Sequence, residues 1–346
     1  MSEILVSVIC LTYNHEKYIK QALDGFVKQI TDFSFEILVN DDASTDGTKS
    51  ILQEYEMKYP DLMRVFYQPE NQFVRKLGYV NSLYLISQAR GKYIAICEGD
   101  DFWYDCNKLQ MQVDILEQHD ECTGCCCNAL LVKEDGRPWE AFMDESYYEV
   151  VDKIYGKERL LNDLKSFHTA TIMMRKSIIH LDTDAVQRYI NCKANGDMKW
   201  AAIIAATGKL YHISKSLACY RFVPKGNGSW SARNAGKNLS LEICNMVSNI
   251  QQYIREEYGV DLDYRYHIDY QTRRSIRQYI KNRTDENRII MKGTLAEQKN
   301  RLHFLFRSIQ VIVGKPLKKK EKAKKSESIC NDIETYRLCH LQCTTN

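Results

Sequence analysis

The first hundred residues alternate two hydrophobic patterns. Short runs of β-branched and apolar residues predict buried strands at 4–11, 35–39, 63–67 and 93–97. Between them, apolar residues recur every three or four positions, as in Ile19, Ala22, Leu23, Phe26 and Val27, which predicts helices with one buried face, including one at 78–89. Repeated strand–helix order predicts an α/β fold with a mostly parallel sheet flanked by helices.

Polar clusters follow three of these strands, at residues 12–15, 40–47 and 98–101. The carboxyl ends of parallel strands lie at one edge of a sheet, where α/β proteins bind their ligands. We therefore expect the three clusters to gather into one site. Ser44 or Thr45 is also suited to cap the helix that contains Ile51.

From about residue 235 the pattern becomes helical, rich in Tyr, Arg, Lys and Asn, and without strong strand signals. We predict a boundary there, between a domain over 1–234 and a helical extension over 235–346. Residues 302–313 form an amphipathic pattern, and seven lysines follow between 315 and 325. Two interpretations stay open for this end: a solvated charged tail, or peripheral contact with an anionic membrane.

Composition narrows the class of protein. The 346 residues carry a net charge of only +3, so no basic field indicates a nucleic-acid partner. No apolar run approaches the roughly 20 residues needed to cross a bilayer. The beginning of the sequence lacks signal-peptide features, which predicts a cytoplasmic protein with reduced thiols, with membrane contact only at the inner face.

The cysteines at 122, 125, 126 and 127 resemble a metal cluster at first sight. They run into the apolar residues 129–132, which predicts a strand in which cysteine is a small hydrophobic residue. Adjacent residues of a strand point to opposite faces, so consecutive thiols converge poorly on one zinc ion.

The turn Glu98-Gly99-Asp100-Asp101 carries the clearest candidate chemistry. Neighbouring carboxylates repel each other unless a cation or a hydrogen-bond donor compensates. Hard oxygen ligands of this kind suit Mg²⁺ or Mn²⁺, which leave coordination positions open for phosphate oxygens. The alternative is a solvated acidic turn that favours the start of the next helix.

Three segments together resemble the family 2 glycosyltransferases in order and spacing: residues 6–14 (VSVICLTYN), 36–48 (EILVNDDASTDGT) and 91–101 (GKYIAICEGDD). The resemblance extends over residues 4–232. It implies the GT-A-type fold, which binds a nucleotide diphosphosugar, and it implies an inverting mechanism and a divalent cation, Mg²⁺ or Mn²⁺.

The positions that match the family motifs imply which residues contact the nucleotide. The resemblance implies that Thr12 and Asn14 border the nucleobase and that Asp42 accepts a hydrogen bond from the base. UDP-sugars are the donors it implies first. Arg75 or Lys76 is expected to assist the base or the phosphates.

The same resemblance implies that the acidic turn binds the metal ion. Asp101 would be the direct metal ligand, and Asp100 would lie beside it, near the ribose or the sugar. Glu98 stands where many members of the family carry Asp.

Asp197 matches the family residue that deprotonates the acceptor hydroxyl. Inversion needs a base opposite the leaving diphosphate, so one carboxylate must stand apart from the metal pair. The alternative is that Asp197 caps the helix starting near Met198.

Three further residues complete the predicted site. His168 is expected to contact sugar or phosphate, with a structural histidine as the alternative. Arg221 is expected to pair with phosphate, and Trp230 to cover the site from a mobile loop, with an ordinary Gly-rich turn as the alternative.

The sequence therefore predicts transfer of a sugar from a nucleotide diphosphosugar to a hydroxyl of a glycan or a lipid-linked acceptor. The resemblance implies a place in cell-surface polysaccharide or lipopolysaccharide synthesis. An inactive nucleotide-sugar-binding protein and a nucleotidyltransferase are the alternatives.

Overall fold

One β-sheet organises the part of the chain that a computed structural model describes, which is residues 3–72, 78–139, 148–162, 167–223, 234, 236–298, 332–333 and 335–336. Its strands in chain order are β1 (Ile4–Thr12), β2 (Ser34–Asp41), β3 (Met63–Tyr67), β4 (Tyr93–Ile96), β5 (Phe102–Trp103), β6 (Cys122–Val132), β7 (Lys153–Tyr155), β8 (Met173–Arg175) and β9 (Lys209–Arg221). Their order across the sheet is β3-β2-β1-β4-β8-β6-β9-β5, and β7 pairs with β9.

Helices cover both faces of this sheet. In chain order they are α1 (Ile19–Val27), α2 (Thr48–Lys58), α3 (Gly78–Gln88), α4 (Lys108–Gln118), α5 (Lys157–Asn162), α6 (Thr183–Asn191), α7 (Gly196–Thr207), α8 (Ser240–Tyr258), α9 (Arg265–Lys281) and α10 (Asp285–Ala296). The predicted α/β class and the helical C-terminal part are confirmed.

The sheet is parallel in one half and mixed in the other. The strands β3, β2, β1 and β4 pair in parallel, as the strand–helix alternation predicts. On the other side β8 pairs antiparallel with both β4 and β6, and β9 pairs antiparallel with β5 and β7 but parallel with β6. The expectation of a mostly parallel sheet therefore holds only for the first half, where β1, β2 and β3 are each followed by a crossover helix.

Both faces of β1 are buried, which explains its unbroken apolar sequence. Ile9 belongs to a core cluster that also contains residues of α7 and α8, and Val8 and Cys10 belong to the cluster on the opposite face with α1. Because α8 shares a core with α7, the helical extension packs directly on the α/β part. The boundary at residue 234 stays a prediction.

The cysteine-rich segment lies in β6, and its thiols are divided between the two faces of the sheet. Cys126 packs in one core cluster, while Cys122, Cys125 and Cys127 pack in the other. Strand alternation thus separates Cys126 from its neighbours, as the sequence predicts.

The predicted cap of α2 is wrong. The N-cap residue is Gly47, and the Asp46 carboxylate accepts from the Thr48 N–H at 3.0 Å. Ser44 is engaged elsewhere, because its hydroxyl donates to Asp41. Both candidate caps are also held by Asn14 of another loop, whose N–H donates to the Ser44 hydroxyl and whose Oδ1 accepts from the Thr45 N–H.

The amphipathic segment 302–313 and the lysine-rich run lie outside the described residues. Among the helices that are described, none combines the length and the hydropathy that a membrane crossing requires.

Candidate active site

Three loops meet where β1, β2 and β4 end. The strands β1 and β2 end in register, with Thr12 opposite Asp41. Beyond that pair, the Asp42 N–H donates to the Thr12 carbonyl at 2.9 Å, and the Gly99 N–H donates to the Leu11 carbonyl at 2.9 Å. The polar clusters 12–15, 40–47 and 98–101 therefore lie at one edge of the sheet, as the sequence predicts.

Asn14 ties the first loop to the second. Its backbone has a φ of 54°, a left-handed conformation that Asn adopts more readily than most residues. Its side-chain oxygen accepts from the Thr45 N–H at 2.8 Å, and its own N–H donates to the Ser44 hydroxyl at 2.9 Å. Contact with a nucleobase stays a prediction for Asn14, and the structure gives it the additional task of holding the second loop.

Thr12 and Asp42 are both buried at this edge. Asp42 is 6% exposed, and its Oδ1 accepts from the Gln72 N–H at 2.8 Å. Thr12 is 3% exposed, and its hydroxyl finds no hydrogen-bond partner within the described residues. A buried hydroxyl without a partner costs free energy, so a polar group of a ligand at this position would be stabilised.

Gly99 brings the acidic turn against the first loop. A Cβ atom at this position would lie 2.8 Å from the Thr12 hydroxyl and 3.0 Å from Nδ1 of His15. Only glycine allows so close an approach without moving the loop. Nδ1 of His15 is likewise buried without a described partner, so two such polar atoms flank the turn.

Asp101 is held by the end of β9. Its side chain is buried, at 3% exposure, and its Oδ1 accepts from the Arg221 N–H at 2.8 Å. The next residue, Phe102, starts β5 and pairs with Cys219 of β9. Strand pairing therefore fixes the carboxylate from both sides.

The Arg221 side chain clamps the backbone around the acidic turn. Its Nε donates to the Asp100 carbonyl at 2.8 Å, one Nη to the Gln21 side chain at 2.7 Å, and the other to the Glu134 carbonyl at 2.6 Å. The guanidinium also lies 4.8 Å from the centre of the Tyr18 ring. The predicted phosphate contact of Arg221 stays a prediction, and these bonds give it a positioning function.

Four carboxyl groups interact electrostatically at this edge. Burial, together with the charges of Asp100 and Asp197, raises the pKa of Glu98 to about 8. Burial is also the largest cause that raises the pKa of Asp101, followed by Asp100 and Glu98, while Arg221 acts in the opposite direction. A cluster of buried carboxyl groups with perturbed pKa values is typical of functional sites.

Asp197 lies in the first turn of α7. The N-cap of this helix is Asn195, so the alternative that Asp197 is the cap is wrong. The half-buried side chain accepts from the Met198 N–H at 2.8 Å through Oδ1, and the positive end of the helix dipole favours its charge. Its effect on the pKa of Glu98 places it within electrostatic reach of the acidic turn.

A buried lysine fixes the start of α7. Nζ of Lys199 donates to the Tyr189 carbonyl near the end of α6 at 2.8 Å, and it lies 4.1 Å from the centre of the Tyr189 ring. Burial lowers the pKa of Lys199 to about 8. This bond joins α6 to the first turns of α7, next to Asp197. It was not predicted from the sequence.

His168 lies beside Asp101, with 3.7 Å between its Nδ1 and Oδ2 of Asp101. The same Nδ1 accepts from the Ala170 N–H at 3.3 Å. Its ring centre is 4.0 Å from that of Tyr220. His168 therefore has a structural contact with the turn at 169–171, and its sugar or phosphate contact stays a prediction.

The oxygen donors at this edge fit a small divalent cation. In the described ranges, no group of three or more His, Cys, Asp or Glu side chains is arranged to hold a metal ion. Mg²⁺ typically takes one or two protein carboxylates and completes its shell with water and substrate phosphates. Asp101 and Asp100 match that requirement together with a diphosphate, and metal binding by them stays a prediction.

Three predicted site residues have no described position, and two residues of the site were not predicted. Arg75, Lys76 and Trp230 lie outside the described residues. Gln21 and Glu134, which hold Arg221, were not found from the sequence, because they meet it only through long-range contacts. Gln21 lies 200 positions from Arg221 along the chain.

Comparison with known proteins agrees with this architecture. The chain is similar to an uncharacterized protein of Mycobacterium tuberculosis, with 44% identity over 131 residues, and this match spans 38% of the chain but only 37% of the relative's length. It is 30% identical over 230 residues to an uncharacterized glycosyltransferase of Methanocaldococcus jannaschii, covering 66% of the chain and 74% of that protein. A Bacillus subtilis protein, provisionally named as the teichuronic acid biosynthesis glycosyltransferase TuaG, is 28% identical over 66% of the chain and 84% of its own length.

Solved structures share the fold. S. aureus TarS, residues 1–349 in complex with UDP-GlcNAc, aligns with a TM-score of 0.60 at 18% identity, covering 97% of this chain and 92% of that chain. The same protein in complex with UDP gives a TM-score of 0.58 at 19% identity, with the same coverage. The predicted GT-A-like fold is thus confirmed. The sequence model of the family described as glycosyl transferase family 2 matches residues 7–181, half of the chain, and this chain therefore belongs to that family.

Proposed function

We propose that this chain transfers a sugar from a nucleotide diphosphosugar to a hydroxyl group of a glycan or lipid-linked acceptor, with inversion at the anomeric carbon. One observation carries the proposal: the buried acidic turn at the end of β4 interacts electrostatically with Asp197 at the start of α7. This arrangement offers a negative edge for a cation and a diphosphate, and a separate carboxylate for the acceptor.

The nucleoside of the donor is proposed to lie at the ends of β1 and β2. Thr12, Asn14 and Asp42 are the residues assigned to it, and the unpartnered Thr12 hydroxyl supports a polar ligand there. UDP is the proposed nucleotide. The similar fold of TarS, which has been solved with UDP and with UDP-GlcNAc, supports this choice.

The diphosphate is proposed to bind beside Asp100 and Asp101 together with Mg²⁺ or Mn²⁺. When bound, the cation would offset negative charge on the diphosphate leaving group. Arg221 holds Asp101 through its backbone N–H. We also assign His168, Arg221, Arg75, Lys76 and Trp230 to the donor or the sugar, as the family resemblance implies.

Asp197 is proposed as the general base. An oxygen of the acceptor attacks the anomeric carbon, its proton passes to the Asp197 carboxylate, and the bond to the diphosphate breaks. Asp197 lies on α7, a different element from the turn that carries Asp101, which supports this division of roles. A base of this kind contributes about 100-fold to 10,000-fold to the rate.

The acceptor is proposed to belong to cell-surface polysaccharide synthesis. The name of the similar Bacillus subtilis protein refers to teichuronic acid biosynthesis and supports this assignment.

The decisive experiment incubates the purified full chain with Mn²⁺ and a panel of UDP-, GDP- and CMP-sugars, and measures the nucleotide that is released. Slow hydrolysis of one UDP-sugar is the expected result. Nucleotide binding without turnover would identify a nucleotide-sugar-binding protein instead. Pyrophosphate release from a nucleoside triphosphate and a sugar phosphate would identify a nucleotidyltransferase.

A further inference from the structure

Helix α9 presents a row of tyrosine and basic side chains on the face opposite its buried side. Its buried side contains Ile268, Thr272 and Ser275. The row recurs at intervals of three and four residues, which places its members on one helical face. Its members line an open cavity of about 440 Å³, and they are Tyr266, Tyr270, Arg273, Arg274, Arg277 and Lys281.

This face exposes large apolar groups as well as charge. Tyr266 is 52% exposed, Tyr270 49% and Ile280 65%. Tyr266 and Tyr270 lie about one helical turn apart, and grouped exposed apolar side chains typically mark an interaction surface. We call Tyr266, Tyr270, Arg274, Arg277, Ile280 and Lys281 the basic face of α9.

The charge on this face is positive and unbalanced. Arg274, Arg277 and Lys281 are exposed, and none of them makes an ion pair within the described residues. The one acidic residue of the helix, Asp269, is buried at 2% exposure. An anionic partner would therefore meet no repelling carboxylate from α9 itself.

We propose that the basic face of α9 docks on an anionic membrane surface. The row from Tyr266 to Lys281 spans about 22 Å along a straight helix. Arginine and lysine side chains are attracted to anionic headgroups, and tyrosine rings are enriched at the boundary between headgroups and acyl chains. A soluble anionic polymer would also neutralise the cations. Unlike a membrane, it would not explain why Ile280 and the two tyrosines are exposed on the same face.

Docking at this face has a structural consequence for the transferase site. Helix α9 packs on α8, and α8 packs on α7, which carries Asp197. A docked α9 therefore holds the acceptor side of the site at a fixed distance from the lipid surface. The docking proposal itself does not depend on the proposed reaction.

Flotation of the full-length protein with vesicles tests the proposal. Vesicles of phosphatidylcholine alone are compared with vesicles that also contain phosphatidylglycerol. We expect binding only to the anionic vesicles. The triple variant Arg274→Glu, Arg277→Glu, Lys281→Glu should bind them on the order of 100-fold more weakly, with an unchanged circular dichroism spectrum and unchanged donor hydrolysis.

Two control variants carry the same change of net charge. Lys20→Glu, Lys58→Glu, Lys209→Glu alters exposed lysines on α1, α2 and β9 and should bind like the wild type. Lys318→Glu, Lys319→Glu, Lys320→Glu alters the lysine-rich run. If this tail variant alone lost binding while the α9 variant kept it, the proposal would be overturned.

One further double variant separates lipid from polymer. The double variant Tyr266→Ser, Tyr270→Ser should bind vesicles more weakly than the wild type. This difference should remain at high salt, where the ionic contribution to binding is screened. Binding to a soluble anionic polysaccharide but not to vesicles would reject the membrane assignment. If vesicle binding survives while no donor sugar is turned over, the proposed reaction fails and the docking surface stands.

Discussion

The backbone N–H of Arg221 donates a hydrogen bond of 2.8 Å to Oδ1 of Asp101. The guanidinium of the same residue donates to the Asp100 carbonyl at 2.8 Å. One residue at the end of β9 therefore fixes both the carboxylate and the backbone of the acidic turn. Any substitution except proline keeps the first bond, so side-chain variants isolate the clamp from the strand pairing.

Arg221→Lys should lower activity and stability together. Lysine cannot reproduce the forked contacts to Gln21 and Glu134. We expect a loss of about 2–4 kcal/mol in the free energy of unfolding and a fall in turnover of about 100-fold from misplacement of the turn. Urea denaturation and initial rates at several Mn²⁺ concentrations measure both. Arg137→Lys, at an exposed position, is the control, and equal behaviour of the two variants would contradict the clamp.

Asp101→Asn should weaken metal-dependent binding of UDP and stabilise the metal-free protein. The amide keeps an oxygen for the Arg221 N–H but removes a carboxyl group whose charged form is disfavoured by burial and by Asp100 and Glu98. Calorimetric titration of UDP with Mn²⁺ and a thermal melt in chelator measure the two effects. Asp120→Asn changes a fully exposed carboxylate and should do neither. A variant that binds UDP with Mn²⁺ as tightly as the wild type would remove the metal role.

Asp197→Asn should abolish transfer while donor binding persists. The amide cannot accept the proton of the acceptor hydroxyl, so we expect turnover to fall by about 100-fold to 10,000-fold. The matched control is Asp184→Asn, an exposed acid in the first turn of α6. Wild-type turnover in the Asp197 variant would reject the base assignment.

The stability of the metal-free protein should fall as the pH rises. The pKa of Glu98 lies at about 8 in the folded protein, against an ordinary value of 4.5. Between these two pKa values the folded protein keeps a proton on Glu98 that the unfolded chain has lost. The contribution of Glu98 to the stability of the fold is therefore complete below the unfolded pKa and is lost as the pH rises to the folded pKa. Thermal melts in chelator from about pH 5 to about pH 9 should show this fall, and Glu98→Gln should reduce it. Parallel profiles for both proteins would contradict the assignment.

The first half of the fold was predictable because its signals are local. β1, α1, β2 and β3 follow from periodicity within each segment, and the observed ends differ from the predicted ones by a few residues at most. The mixed half was not predictable, since the pairing of β8 and β9 depends on contacts between distant segments. The same reason explains the cap of α2, because both predicted cap residues, Ser44 and Thr45, bond to Asn14 of another loop.

The candidate site divides in the same way. Asp100, Asp101 and Asp197 were each found from a short motif whose own residues are neighbours in the sequence. The contact between Gln21 and Arg221 leaves no local trace, because the two residues are 200 positions apart. Lys199 did leave a signal, because it stands directly before the apolar run that starts at Trp200, and such a lysine is buried only with partners.

The central claim is that one edge of the sheet binds a nucleotide diphosphosugar with a divalent cation. Release of UDP from a panel of UDP-sugars, measured with and without Mn²⁺ for the wild type and for Asp101→Asn, tests it most directly. The account predicts that the wild type hydrolyses at least one of these sugars in a Mn²⁺-dependent manner and that Asp101→Asn does not. Hydrolysis that is equal in both proteins, or that is independent of the cation, would contradict it.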